Sequence, residues 1–289
     1  MTIRERGYAH WDGELEESKF SWWPIATYGV KLTFKKKFFK SFFFFTFIPA
    51  LAYLGGIYVS ERLEDFHFMI EESAPFIQVN PAYFKSYFTN DFLLFIIVMI
   101  IIFAGAGLIS DDIKYNALQL YFSRPLKKKD YFIGKASVIF FFMALITLIP
   151  GLIFLLTKII FSGSFKFVLS YPWLPFSTLG YSLILIVFFS FYSLSISSLS
   201  KNRRYVAVMI FGIYFFSDIF FQIFYGIFKN QYFSLLSIKA NLKQIGAFIF
   251  GQKLPYSIPW FYSFLFIIAF CTFGGLVLKR RVKGVVIVK

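Results

Sequence analysis

Little in this sequence can do covalent or metal chemistry. Among 289 residues there is one cysteine, Cys271, set inside an apolar run. It allows no intrachain disulfide and no cysteine-based metal site. There are two histidines, His10 and His67, and no Ser-His, Cys-His or metal-spaced constellation forms around either. His67 lies beside Glu64, Asp65, Glu71 and Glu72. That acidic loop is the sequence's one argument for a membrane-embedded transferase or a divalent-cation site; its simpler reading is a solvated loop. Charged residues make up 16%, against about a quarter in a soluble domain. No G-x-x-x-x-G-K-[ST] phosphate loop is present: Gly134-Lys135 lacks the upstream glycine and the following Ser or Thr. Alternating segments of about 10 residues, the mark of an outer-membrane barrel, are missing too. Residues 1–20 are charged and mixed, with no apolar centre, unlike a secretory signal.

What the chain has in excess is apolar surface: 58% hydrophobic residues, 24% aromatic, 45 phenylalanines. The phenylalanines read as lipid-facing and core bulk. Five segments exceed or approach the roughly 20 apolar residues that cross a bilayer, and a sixth is broken only by small and hydroxyl residues. The expected spans are about 38–59, 92–108, 131–156, 176–199, 205–227 and 258–278. The fold class is therefore an all-α membrane protein with six transmembrane helices. Four segments follow: a cytosolic tail, 1–20; an interfacial helix, 21–37; the transmembrane domain, 38–278; and a second cytosolic tail, 279–289. Trp22, Trp23, Lys31 and Lys35 to Lys37 suit the inner membrane surface. Pro49 is expected to kink the first span. Residues 228–257, broken by Gly246, Gly251 and Pro255, are too short for a span and suit interfacial or re-entrant helices.

The net charge is +15. In a soluble protein that would raise nucleic acid as a partner. Here it follows from lysines and arginines gathering on the inner side of a membrane, so lipid is the expected partner and nucleic acid is not. With both termini inside, all but eight of the 30 Lys and Arg fall on the inner side. The exceptions are Arg62, Lys85, Lys158, Lys166, Lys229, Lys239, Lys243 and Lys253. That places 109–130 in the cytosol and the acidic loop outside. The lack of targeting signals fits a bacterial inner membrane.

The stretch LISDDIKYNALQLYFSRPLKKKDYFIGK, residues 108–135, interrupts two apolar runs. Asp111 and Asp112 follow Ser110 as at a helix N-terminus, where acids suit the helix dipole. Ile113, Ala117, Leu118 and Leu120 recur near helical spacing. Pro125 disfavours helix at Arg124, and three lysines return the chain to the membrane. A short amphipathic helix facing the cytosol is expected; a mere connector lying on lipid would look the same. The pattern Ile109-Ser110-Asp111-Asp112, Leu118-x-Leu120, Ser123-Arg124-Pro125, a basic run, then Tyr131 and Gly134-Lys135 resembles the permease subunits of type-2 ABC exporters. Asn116-Ala117 stands where many members carry Gly-Thr. The resemblance implies a cytosolic coupling helix between spans two and three. Asp111, Asp112, Lys114, Tyr115, Leu118, Arg124 and Pro125 would then contact a separate ATPase. It also implies two ATPase subunits and a second permease copy or paralogue. ATP and magnesium would be held on the partner and no cofactor on this chain, which would be a transport subunit and not itself an enzyme.

Two further features bear on a pathway. Asp218 lies inside the fifth span, where a charge costs about 3 kcal/mol or more; Gln222, one turn on, can hydrogen-bond it. Ser190, Ser193, Ser197 and Ser200 fall on one face of the fourth span. They can line a conduit or let helices approach closely. Asp218 is also the one intramembrane argument for an ion-driven carrier or channel that needs no ATPase.

Overall fold

A computed structural model describes residues 20–62, 78–122 and 126–282. The N-terminal tail up to residue 19, most of the acidic loop with His67, Arg124 and Pro125, and residues 283–289 lie outside the described residues. Among the described residues all regular structure is helical, with no strand. The helices are α1 (Trp22–Phe34), α2 (Lys37–Phe45), α3 (Ile48–Glu61), α4 (Pro81–Thr89), α5 (Asp91–Gly105), α6 (Gly107–Lys114) and α7 (Ala117–Phe122). They continue with α8 (Lys128–Met143), α9 (Ile149–Ser162), α10 (Lys166–Ser170), α11 (Leu174–Ser197), α12 (Arg203–Phe228), α13 (Ile238–Ile249) and α14 (Trp260–Arg281). Six stretches are long and apolar enough to cross a membrane: Lys37–Glu61, Asp91–Lys114, Lys128–Ser162, Leu174–Ser197, Arg203–Phe228 and Trp260–Arg281. These are the six expected spans, most of them a few residues longer at their ends.

The breaks follow from residue chemistry. The first span divides between α2 and α3 at Thr46-Phe47, just before Pro49, which cannot donate to the carbonyl four residues back. The third span carries a π turn, Ala144–Leu148, between α8 and α9. Pro150 has no N–H for the Ile146 carbonyl, and the Tyr87 hydroxyl donates to that carbonyl instead, at 2.7 Å. The loop expected to run to about Asn90 contains helix α4, which starts as Asn80 accepts from the Tyr83 N–H with Pro81 in the first turn.

The second, third and fourth spans are mostly buried; the first, fifth and sixth bury only about a fifth of their residues. At the centre stands α11, which buries Tyr181, Leu185, Phe188, Phe189 and Tyr192. It packs against α8, α12 and α14. α1 lies against α8. Gly134 makes that approach possible: a Cβ there would sit 2.8 Å from Ile25 and 2.9 Å from the Trp22 carbonyl. The 228–257 region forms a 3-10 turn (Gln231–Leu236) and α13. At 12 residues, α13 is too short to cross a bilayer. It is nonetheless buried, and Gln244 ties it to the return loop through the Ile258 carbonyl at 2.6 Å.

Candidate functional site

Lys128 and Lys129, Lys201 and Arg203, and Lys279 to Arg281 mark the ends of spans at one end of the bundle, called here the basic end. The second span reaches that end through a break at Ala106, after which α6 turns the chain. A break exposes backbone groups that must find partners, and side chains from three other elements supply them. Arg203 donates to the Phe103 carbonyl at 2.8 Å, and Lys36 approaches the same oxygen at 3.4 Å. Ser197 accepts from the N–H groups of Ile109 and Ser110, each at 3.1 Å, and donates to the Ala106 carbonyl at 2.8 Å. One serine at the end of α11 thus holds both sides of the break. Burial, then the Arg203 charge, lowers the Lys36 amine to about 8, with Asp111 opposing.

The acids do not begin a new helix. α6 starts at Gly107, so Asp111 and Asp112 lie in its second half. The expected N-terminal role at Ser110 is corrected: the Ser197 hydroxyl, not an acid of the chain's own turn, satisfies those N–H groups. Asp112 is instead drawn back to α8. Its Oδ2 lies 2.6 Å from the Lys135 ammonium and accepts from the Tyr131 hydroxyl at 2.6 Å. The ammonium also faces the rings of Tyr121 and Tyr131 at 5.6 and 5.5 Å. Burial and the Asp112 charge push the Tyr121 hydroxyl upward. This clasp fixes residues 107–122 against the third span. Sequence reasoning named Asp112, Tyr131 and Lys135 as parts of one motif without pairing them.

The segment then reverses at Asn116, whose φ of 55° is left-handed. Asparagine tolerates that region better than most residues, and glycine tolerates it best. Asn116→Gly is expected to leave thermal stability within about 0.5 kcal/mol, and Asn116→Val to lower it by about 1–2 kcal/mol. Equal melting of the two variants would show that the turn does not depend on this conformation.

Beyond the turn, Leu118 packs inward against the core cluster, while Lys114 and Tyr115 face outward. Tyr115 is 70% and Leu120 73% exposed, and the Lys114 ammonium lies 5.0 Å from the Tyr115 ring centre. Asp111 lies beside Arg203, both close to Gly107. The α6–α7 segment therefore has a buried face that anchors and an outer face that projects from the basic end.

The serine face of α11 divides among three neighbours. Ser190 borders a groove between α8 and α14. Ser193 is buried without a hydrogen-bond partner and lies where a side chain at Gly105 would be. Ser197 holds the break at Ala106. Toward the opposite end, Asp218 accepts from Gln222 at 3.0 Å, as their spacing suggests, and from Ser237 at 2.9 Å. It also pairs with Lys239 at 2.7 Å. Lys239 is 3.6 Å and Lys243 2.7 Å from Asp91 at the start of α5. The sequence reading missed Lys239 and Lys243 as partners; their four-residue spacing, one face of a helix, was the available signal.

An all-α chain with six apolar spans, broken at one basic end by short clasped helices, has the organisation of a multi-pass transport protein. A search of curated proteins finds no match to the sequence. The sequence pattern of the family described as ABC-2 family transporter protein matches residues 7–254, and the chain belongs to that family. It is a membrane permease of the ABC-2 type.

Proposed function

We propose that this chain forms the translocation pathway of an ATP-driven exporter, and that α6–α7 receives the motion of separate ATPase subunits. The basic end is then cytosolic, both termini lie inside, and α1 rests along the inner leaflet of a bacterial cytoplasmic membrane. Two ATPases and a second permease copy or paralogue complete the assembly, with ATP and magnesium on the ATPases. The observation that carries the reading is the two-sided segment at the basic end. Its inner face is locked to α8 by the Asp112–Lys135 pair, and its outer face presents Tyr115, Lys114 and Leu120. A load applied to that outer face passes directly into the third span, as coupling by differential contacts requires. The fifth span, which buries only about a fifth of its residues, suits a subunit that meets a partner in the bilayer. The ion-driven alternative rests on Asp218, whose carboxylate is already engaged by Lys239, Ser237 and Gln222.

The test uses the outer face, because substitution of Asp112 would disturb the anchor as well. Tyr115→Ala with Leu120→Ala is expected to reduce co-purification of the cognate ATPase at least tenfold, with thermal stability unchanged. That follows because truncating a central aromatic anchor of an interface costs about 2 kcal/mol or more. Undiminished ATPase recovery would remove the α6–α7 segment as the docking element.

A further inference from the structure

The basic end also carries a groove that the coupling reading does not use. It has a volume of about 550 Å³ and opens between α8, α11 and α14. Phe132, Ile133, Phe191, Leu194 and Leu278 form its walls. Lys128 and Lys129, from the first turn of α8, and Lys279, from the last turn of α14, border it at one end. All three lysines are exposed, and no ion pair engages them among the described residues. Asp130, their neighbour in sequence, is not part of the groove wall. Deeper in, about two turns from the end of α11, lies the Ser190 hydroxyl, 7% exposed and without a hydrogen-bond partner among the described residues.

We propose that this groove is a binding site for one anionic phospholipid. The order of chemistry along it matches such a molecule. The three ammonium groups meet the phosphate, the Ser190 hydroxyl donates to the glycerol-ester region, and the aromatic and aliphatic walls receive an acyl chain. The walls belong to membrane-spanning helices, so an acyl chain reaches them directly from the bilayer. Basic pockets between helices at the inner surface are suited to anionic headgroups, whereas the ammonium of a zwitterionic headgroup would face like charge. A second copy of this chain is a poor occupant. A two-fold interface through the groove would set Lys128, Lys129 and Lys279 against their own counterparts, and the chain has 15 acids against 30 basic residues with which to offset them.

The experiment is native mass spectrometry of the full chain from micelles with equal phosphatidylglycerol and phosphatidylcholine. One phosphatidylglycerol is expected to be retained in preference. Each Lys→Gln change at 128, 129 or 279 should weaken retention roughly fivefold, and the three together about a hundredfold. Ala136→Phe and Gly275→Leu fill the groove and keep every charge. A Cβ at Gly275 would have its nearest neighbour in Phe191 at 3.6 Å, so a side chain can start there. These variants should lose retention about tenfold at unchanged thermal stability. Lys166→Gln with Lys229→Gln and Lys253→Gln, away from the groove, should change nothing. Equal retention of the two lipids overturns the proposal. So does retention that survives the filled groove, or that falls equally in the distant control, since either would mean general attraction to a basic surface. Should the filling variants prove unstable, the single-lysine series decides, with no effect at 128, 129 and 279 counting against the site.

Discussion

Asp112→Ala is expected to lower the stability of the folded chain by about 3 kcal/mol or more, and to free the 107–122 segment from the third span. The Lys135 ammonium, with 10% of its side chain exposed, would lose its carboxylate at 2.6 Å. The Tyr131 hydroxyl, fully buried, would lose its acceptor. A charge left unpaired in such a place is more costly than the pair was favourable, because removing one partner leaves the desolvation of the other uncompensated. Two comparisons make the cause specific. Asp112→Asn keeps an acceptor for Tyr131 but not the charge, and should fall between wild type and alanine. Asp112→Leu with Lys135→Met removes both charges at similar volume, and should recover most of the lost stability. ATPase stimulation should not recover with it if the polar clasp, rather than packing alone, keeps the segment rigid under load. Thermal unfolding in detergent, followed by tryptophan fluorescence, measures the first three. An Asp112→Ala protein melting within about 0.5 kcal/mol of wild type would show that the clasp holds nothing.

How much of this was legible beforehand depends on the distance over which each residue acts. The six spans follow from runs of apolar residues, a local property, and the helix at Trp22–Phe34 from a local pattern of tryptophan and lysine. The Asp218–Gln222 bond was legible because one helical turn separates the two. The Pro49 break was legible because proline disrupts the backbone at its own position. What could not be read was which polar group meets which across the bundle. Ser197 was visible as one of a row of hydroxyls, but its service to the Ala106 break depends on where α11 ends relative to α6. Lys239 looked like an exterior loop charge because its partner lies 21 positions earlier, on another helix. The π turn was hidden for a similar reason: its stabilising hydroxyl comes from Tyr87, in a segment whose helix the sequence did not signal. The boundary at Gly107 escaped because Ser110-Asp111-Asp112 makes a plausible local start, and a hydroxyl from another span supplied the cap in its place.

Asp218→Ala is the second change expected to have a large effect, about 3 kcal/mol, and its pH dependence separates two meanings of an acid inside a span. The side chains of Asp218 and Lys239 are 15% and 25% exposed. Without Asp218, Lys239 keeps only Asp91, at 3.6 Å, and Ser237 loses an acceptor. α13 would then be held to the fifth span by the Ser217 hydroxyl, which accepts from the Ile238 N–H at 3.3 Å, and by apolar contacts. Asp218→Asn retains hydrogen-bonding capacity toward Ser237 and Gln222 and should be the milder change. Burial pulls the Lys239 ammonium down, but hydrogen bonding and charge from Asp218, with Asp91 adding to them, outweigh burial and hold it above its ordinary 10.5. A lysine whose folded value exceeds its unfolded one contributes its stabilisation in full below the unfolded value. It loses that contribution only as pH rises through the folded one. The contribution of Lys239 should therefore be constant from pH 6 to 9, and the stability difference between wild type and Asp218→Ala should be constant from pH 6 to 8, where a Lys239 left buried without Asp218 still keeps its proton. A structural tie predicts that flat line. A carboxylate that takes up and releases protons to drive transport predicts a difference that varies with pH in this range, together with ion-driven uptake into ATP-free proteoliposomes that disappears in Asp218→Asn. Such a result would move Asp218 from the frame of the bundle to its pathway and would favour the carrier over the ATP-driven permease.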